Sequence, residues 1–394
     1  MHVQGFTAAA VPAGIRYPDR LDLALIYSQV PAVAAGTFTL NKVKAAPVVL
    51  SMERLRSGQA QAVLVNSGNA NACTGLEGMA LARATSSLAA SALGINAQLV
   101  QVASTGVIGQ AMQVDPFARA MPSLVGKLSS SGLPEVAKAI MTTDLVEKTA
   151  SETIVIGGTP VSIFGMAKGS GMIMPNMATM LCFIVTDAQI VFPVLDKLLR
   201  QAVNQSFNCI TVDGDTSTND MALIMANGMA NNPWIDEDNI EGVRLFGDAL
   251  GRICKDLALK IVADGEGATK LATIKVVGAR SDEEAMSSAR TIANSSLVKT
   301  AFFGEDANWG RIIAALGRSK CTFEENKVDI YFDEVLLVAH GLCLGAEAEA
   351  KATEVLKKRQ FTISLHLHEG GGVAEMYTCD FSFDYVKINA SYRS

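Results

Sequence analysis

The chain has 394 residues, a length that suggests two or three domains, with 49% apolar and 18% charged residues, a formal net charge of −6 and a mean hydropathy of +0.27. No block of Lys and Arg stands out, which argues against a nucleic-acid footprint. The best apolar run, Met180 to Val185, is closed by Asp187, far short of the roughly 20 residues a spanning helix needs. The N-terminus places Arg16, Asp19 and Arg20 ahead of any cleavage-site pattern, so no signal peptide, no membrane association and a cytoplasmic location are expected.

Strand-like and helix-like segments alternate throughout, which reads as α/β or α+β. In chain order, Gln61 to Val65 is a strand running into the loop Asn66-Ser-Gly-Asn-Ala-Asn-Ala72, and a helix from about Glu77 to Leu93 stops at Gly94. Gln98 to Ala103 is a strand ending in Ser104-Thr-Gly-Val-Ile-Gly109. Asp115-Pro116 reads as an N-cap followed by the first helical residue, and Glu135 to Met141 as a short helix. Ile154 to Ile156 and Val161 to Phe164 form a hairpin around Gly157-Gly158. A glycine-rich stretch, Gly165 to Thr179, then enters the strand Met180 to Val185. Pro193 to Asn204 is helical, Cys209 to Val212 a short strand, and Asp238 to Lys260 a long amphipathic helix ending near Ala263-Asp-Gly-Glu-Gly-Ala-Thr-Lys270. Further helices are expected near Asp282 to Ala293, Trp309 to Leu316 and Ala346 to Lys358. Phe361 to His368 and Met376 to Ile388 are expected as closing strands.

Seven scattered cysteines without a CxxC pair exclude a disulfide framework and a zinc finger. Only four histidines occur, so a mechanism that needs a histidine base has few candidates. Asp213, Asp215 and Asp220 resemble a calcium loop, but Thr218 stands where an EF-hand requires Gly, which leaves turn and helix-cap roles. His366 and His368 share a strand face without a third ligand in evidence, so no metal is expected.

The stretch before Thr179 has one chemical reading. A threonine hydroxyl needs a base beside it. Cleavage of the preceding peptide bond supplies one, because a free α-amine with a pKa of about 7.7–8.0 is partly neutral near pH 7.5. Ala178 adds no bulk, and Pro175 with Gly169 and Gly171 makes the approach irregular. The other reading is a glycine-rich loop entering a core strand, with Thr179 as its first residue.

Lys168-Gly-Ser-Gly-Met-Ile-Met-Pro-Asn-Met-Ala-Thr179 resembles the self-processing motif of the ornithine acetyltransferases, the bifunctional glutamate N-acetyltransferases of arginine biosynthesis. The resemblance extends over nearly the whole chain, through Gly14-Ile-Arg16, Asp22-Leu-Ala-Leu-Ile26, Asn66 to Gly75, Ser104 to Gly109, Met141-Thr-Thr-Asp144, Asp213 to Asp220, Gly304 to Arg311 and Asn389 to Ser394. It implies a four-layer α/β/β/α sandwich and a smaller C-terminal α/β domain. Residues 1–178 would be an α chain, 179–270 the start of the β chain completing the sandwich, and 271–394 the C-terminal domain. It further implies cleavage between Ala178 and Thr179, Thr179 as nucleophile, and Thr105 and Gly106 as the oxyanion hole. Substrate contacts would come from Thr142 (or its neighbour Thr143), Lys168, Thr179, Glu266, Asn389 and Ser394. The implied reaction is ping-pong transfer of an acetyl group from N-acetylornithine to glutamate, with acetyl-CoA as a second candidate donor, no cofactor, and an α2β2 assembly of the two chains. Two rivals stand beside it: a self-processing aminopeptidase or amidase, in which water is the acceptor, and a non-catalytic metabolite-binding protein.

Overall fold

The structure, a computed structural model, describes residues 2–174 and 180–391. In chain order the elements are β1 (Phe6–Val11), β2 (Leu23–Phe38), α1 (Ala46–Arg54), β3 (Gln59–Asn66), α2 (Gly75–Leu93), β4 (Val100–Ser104), α3 (Asp115–Gly126), α4 (Leu133–Ala139), β5 (Lys148–Ile156), β6 (Thr159–Lys168), β7 (Leu181–Thr186), α5 (Phe192–Asn204), β8 (Ile210–Thr211), β9 (Met221–Ala226) and α6 (Ile240–Ala263). There follow β10 (Leu271–Ala279), α7 (Asp282–Ala293), α8 (Ser296–Phe303), α9 (Trp309–Gly317), β11 (Asp329–Phe332), β12 (Val335–Ala339), β13 (Leu342–Cys343), α10 (Ala346–Leu356), β14 (Gln360–His366), β15 (Gly372–Cys379) and α11 (Phe383–Ser391). The architecture is mixed α/β, with two multi-stranded mixed sheets, one in each of two compact units.

The first unit spans residues 1–208 and 215–261. Its eight-stranded sheet runs β4-β3-β2-β9-β7-β6-β5, with β1 on β2. The long strand β2 serves both halves of this sheet. Its start, Leu23 to Ser28, lies between β1 and β3, and after a register shift between Tyr27 and Ala32 its end pairs with β9. Alternation assigns the faces. Ala24 and Ile26 join Val63, Val65, Phe164, Phe183, Val185, Leu223 and Met225 in one core, which therefore collects residues from both halves of the sheet. Leu23, Leu25, Ala62, Leu64 and Val102 turn the other way, onto Ala82, Ala89, Phe117 and Leu124 of α2 and α3. Behind β6, a Cβ built on Gly165 would stand 2.9 Å from Ile253 and 3.0 Å from Leu257, so α6 lies directly on the strand there. Helix, strand, strand and helix layers thus follow one another within this unit.

The second unit spans residues 209–214 and 262–393, and its seven-stranded sheet runs β13-β12-β11-β14-β10-β15-β8. Helix α7 packs on β10 and β15. No helix among the described residues is long and apolar enough to cross a membrane.

The β5–β6 hairpin turns through Gly157 and Gly158 at φ of +57° and +84°, the left-handed pair that a two-residue turn of this hand requires. Three sequence expectations are corrected. Asp115 is the first residue of α3 and not its cap, a position held by Val114 without a side-chain hydrogen bond. The expected closing strand from Met376 to Ile388 ends at Cys379. Asp380 draws the chain to the Thr269 and Lys270 amides, and Ser382 then caps α11 by accepting from the Tyr385 N–H at 3.4 Å. The Asp213 to Asp220 loop leads into β9 and caps no helix. Strand β9 itself escapes sequence reading because all six of its residues, Met-Ala-Leu-Ile-Met-Ala, are buried, leaving no alternation to detect.

Candidate active site

Strand β6 carries Lys168 to its last position, where the chain leaves the sheet. The Lys168 ammonium is buried and donates to the Thr142 hydroxyl at 2.8 Å and to the Thr105 hydroxyl at 3.4 Å. Three residues taken from distant motifs therefore meet at one point. Thr143 faces elsewhere, sharing a 2.7 Å hydrogen bond with Ser170, so Thr142 is the threonine beside Lys168.

Asp144 builds this corner. Its Oδ1 accepts from the Lys148 ammonium and from the Gly169 N–H, each at 2.7 Å, and its Oδ2 accepts from the Thr142 N–H at 2.9 Å. One carboxylate thus fixes both the turn that carries Thr142 and the residue after Lys168. Burial pushes its pKa up, but Lys168, Lys148 and these hydrogen bonds outweigh that and hold it at about 2. The folded-state pKa lies below the unfolded value of about 3.9, so this stabilisation is present above pH 4 and is lost as pH falls through 2. Both side chains of the Asp144–Lys148 pair are at most 1% exposed. Removing one member of such a pair strands the other, and Asp144→Ala is expected to cost about 3–5 kcal/mol in denaturant unfolding at neutral pH.

Thr105 and Gly106 follow directly on β4. The Thr105 N–H is already donated to the Asn66 carbonyl at 2.9 Å, so only its hydroxyl remains as a donor. The Gly106 N–H has no partner among the described residues. Gly106 sits at φ +132°, and a Cβ there would meet the Asn69 nitrogen at 2.9 Å and the Gly68 carbonyl carbon at 3.0 Å. Asparagines lock the surrounding loops. Asn66 Oδ1 accepts from the Gly68 and Asn69 N–H groups, its Nδ2 donates to the Ser104 hydroxyl, and the Asn219 side chain donates to the carbonyls of Ala70 and Ser104. One hydroxyl and one amide held on a rigid turn are the elements of an anion-stabilising site.

The second unit holds two more of the expected residues in contact. Asn389 of α11 donates its side-chain amide to Glu266 Oε2 at 2.8 Å, and Glu266 is buried. The turn bearing Glu266 is clamped on both sides. Asp380 accepts from the Thr269 N–H and hydroxyl and from the Lys270 N–H, while the Ser382 hydroxyl donates to the Gly267 carbonyl at 2.6 Å.

Ala178, Thr179 and Ser394 lie outside the described residues. Sequence reasoning passed over Asp144, Asn66 and Asn219 as site residues, although all three fall within motifs it quoted. Among the described residues no group of three or more His, Cys, Asp or Glu could hold a metal ion. His368 instead pairs its Nε2 with Asp329 at 2.9 Å.

The ArgJ family profile matches residues 7–394. The arginine biosynthesis bifunctional protein ArgJ of Desulfotalea psychrophila is 55% identical over 394 residues, covering 100% of both chains. The protein of the same name from Geobacter sulfurreducens is 53% identical, again over 100% of both. Among solved structures, the arginine biosynthesis bifunctional protein ArgJ from Bacillus halodurans aligns at 44% identity with a TM-score of 0.51, over 53% of this chain and 98% of that one.

Proposed function

Because this chain belongs to the ArgJ family, we propose that it is a glutamate N-acetyltransferase of arginine biosynthesis, moving the acetyl group of N-acetylornithine to glutamate. The observation that carries this reading is identity of 55% over the entire length with a protein named for bifunctional arginine biosynthesis. The chain first cuts itself between Ala178 and Thr179, and the freed Thr179 amine then serves as base for the Thr179 hydroxyl. Thr179 attacks the acetyl carbonyl and ornithine leaves. Glutamate takes the acetyl group in the second half-reaction. The Thr105 hydroxyl and the Gly106 N–H stabilise the oxyanion of each tetrahedral intermediate.

Lys168 supplies a positive charge for the substrate α-carboxylate, flanked by Thr142, while Glu266, held by Asn389, suits the ornithine side-chain amine; Ser394 is a further substrate contact. The scheme needs no metal or prosthetic group. The two chains stay together and pair as α2β2, in the cytoplasm. The solved ArgJ chain spans about half of this one, which is in keeping with separate fragments of residues 1–178 and 179–394.

Incubation with N-acetylornithine, with and without glutamate, tests the acceptor. Formation of N-acetylglutamate supports the transferase, whereas release of acetate at the same rate without glutamate identifies a hydrolase. A parallel reaction with acetyl-CoA and glutamate tests the second donor. Lys168→Met is expected to raise KM for N-acetylornithine by about 10–100-fold, from a lost charge-assisted hydrogen bond of roughly 1.5–3 kcal/mol, in steady-state assays with kcat changing less.

A further inference from the structure

A flexible lysine binds a carboxylate well only where its ammonium is held still by its neighbours. The Thr142 hydroxyl is one of the groups that hold the Lys168 ammonium, so whatever fixes Thr142 matters to the site. We propose that Arg20 is a positioning residue for substrate binding: it holds the Thr142 turn, and through it Lys168, in place. This rests on the reading of Lys168 as the group that meets the substrate α-carboxylate.

Thr142 lies in the turn that follows α4. One Arg20 guanidinium nitrogen donates to two carbonyls of this turn, that of Met141 and, at 3.1 Å, that of Thr142. On the other side Asp144 accepts from the Thr142 N–H at 2.9 Å. Charged groups thus clamp Thr142 on both its N–H and its carbonyl, which leaves its hydroxyl set against the Lys168 ammonium at 2.8 Å. Among the described residues Arg20 forms no ion pair. Its charge goes to backbone carbonyls, and no carboxylate cancels it.

Arg20 reaches the turn from the loop between β1 and β2, which is fixed independently. The Asp22 carboxylate, 2% exposed, accepts from the Ala13 and Ile15 N–H groups at 2.6 and 2.7 Å, and the Asp22 carbonyl accepts from the Ser67 N–H at 2.9 Å. Ile15 presses on the loop after β3, since a Cβ on Gly68 would stand 2.8 Å from the Ile15 Cβ. The β1–β2 loop therefore touches the site at two places, the Thr142 turn through Arg20 and the Gly68–Asn69 backbone, against which Gly106 packs, through Ile15. Two kinds of damage are thereby separable. Loss of the Arg20 contact alone loosens Thr142 and Lys168 and weakens binding. Collapse of the whole loop also disturbs the backbone behind Gly106 and slows the chemical step.

Steady-state assays of the purified protein with N-acetylornithine, and with its α-carboxamide, compare wild type, Arg20→Met, Lys168→Met and the double variant. Arg20→Met is expected to raise KM for N-acetylornithine about 10-fold, the lower end of what a lost charge-assisted hydrogen bond removes. Its kcat should hold, because the carboxylate contact is made alike in the ground and transition states. With the carboxamide, which offers no carboxylate, Arg20→Met should leave kcat/KM unchanged. In the double variant KM should match that of Lys168→Met, since Arg20 acts through Lys168. Arg20→Lys, whose ammonium still donates to a carbonyl, should recover part of the loss. The assignment is overturned by an unchanged KM in Arg20→Met, by an equal loss with the carboxamide, by effects that multiply in the double variant, or by a kcat that falls as far as kcat/KM. Should Arg20→Met fail to melt cooperatively, Arg20→Gln decides by the same measurements. A wild-type KM in Lys168→Met removes the carboxylate reading of Lys168, and the assignment with it.

Discussion

Thr179→Ala yields an uncut chain of 41.5 kDa that transfers no acetyl group. Both losses come from one hydroxyl. In the uncut chain that hydroxyl attacks the carbonyl before it, and in the mature protein the same oxygen carries the acetyl group. Alanine keeps the Cβ and removes the nucleophilic hydroxyl together with one methyl, and the flanking strand β7, buried along its whole length, should stay in place. Its neighbours β6 and β9 hold it on either side. The variant should therefore melt as a folded protein while mass analysis shows a single species. Two fragments persisting in Thr179→Ala would mean that a protease, or another residue, does the cutting. A rate of transfer close to wild type would mean that acetyl-threonine is not on the pathway.

Gly106→Ala is expected to lower kcat and kcat/KM together by about 10²–10³-fold, the scale on which loss of one oxyanion-hole donor is felt. The reason is positional. At φ +132° a side chain is strained, and the added Cβ would press on the backbone at Asn69 and Gly68, which asparagine contacts hold in place. The Gly106 N–H must then rotate away. Because that N–H acts chiefly in the transition state, KM should move little. Thr105→Ala is the companion measurement. It spares the backbone hydrogen bond to Asn66 and removes the hydroxyl together with the γ-methyl, so Thr105→Ser, which keeps the hydroxyl, is its control. Wild-type kcat in both variants would take the turn after β4 out of the chemistry.

Much of the fold is readable from local pattern, and the failures are instructive. Helix α2 with its Gly94 stop and the β5–β6 hairpin with its two glycines are written in neighbouring residues. Strand β9 is not, because a strand buried on both faces shows no period. The end of the chain misleads for another reason: Met376 to Ile388 is apolar enough for one strand, and Asp380, reaching back to Thr269, together with the Ser382 cap breaks it into β15 and α11. The site divides in the same way. Lys168, Thr142 and Thr105 stand within motifs that resemble those of a known family, and the structure brings them into contact. The work of Asp144 is partly hidden, since its acceptors' donors include Gly169, 25 residues away. Asn219 holds carbonyls 149 and 115 residues distant, and no local spacing reveals that.

The central claim, that this chain is made active by a cut before Thr179, is tested most directly by the intact mass of the purified protein under denaturing conditions. The prediction is two species, residues 1–178 and 179–394, with the second beginning at a threonine amine. A single species of 41.5 kDa in a preparation that transfers acetyl groups would contradict it.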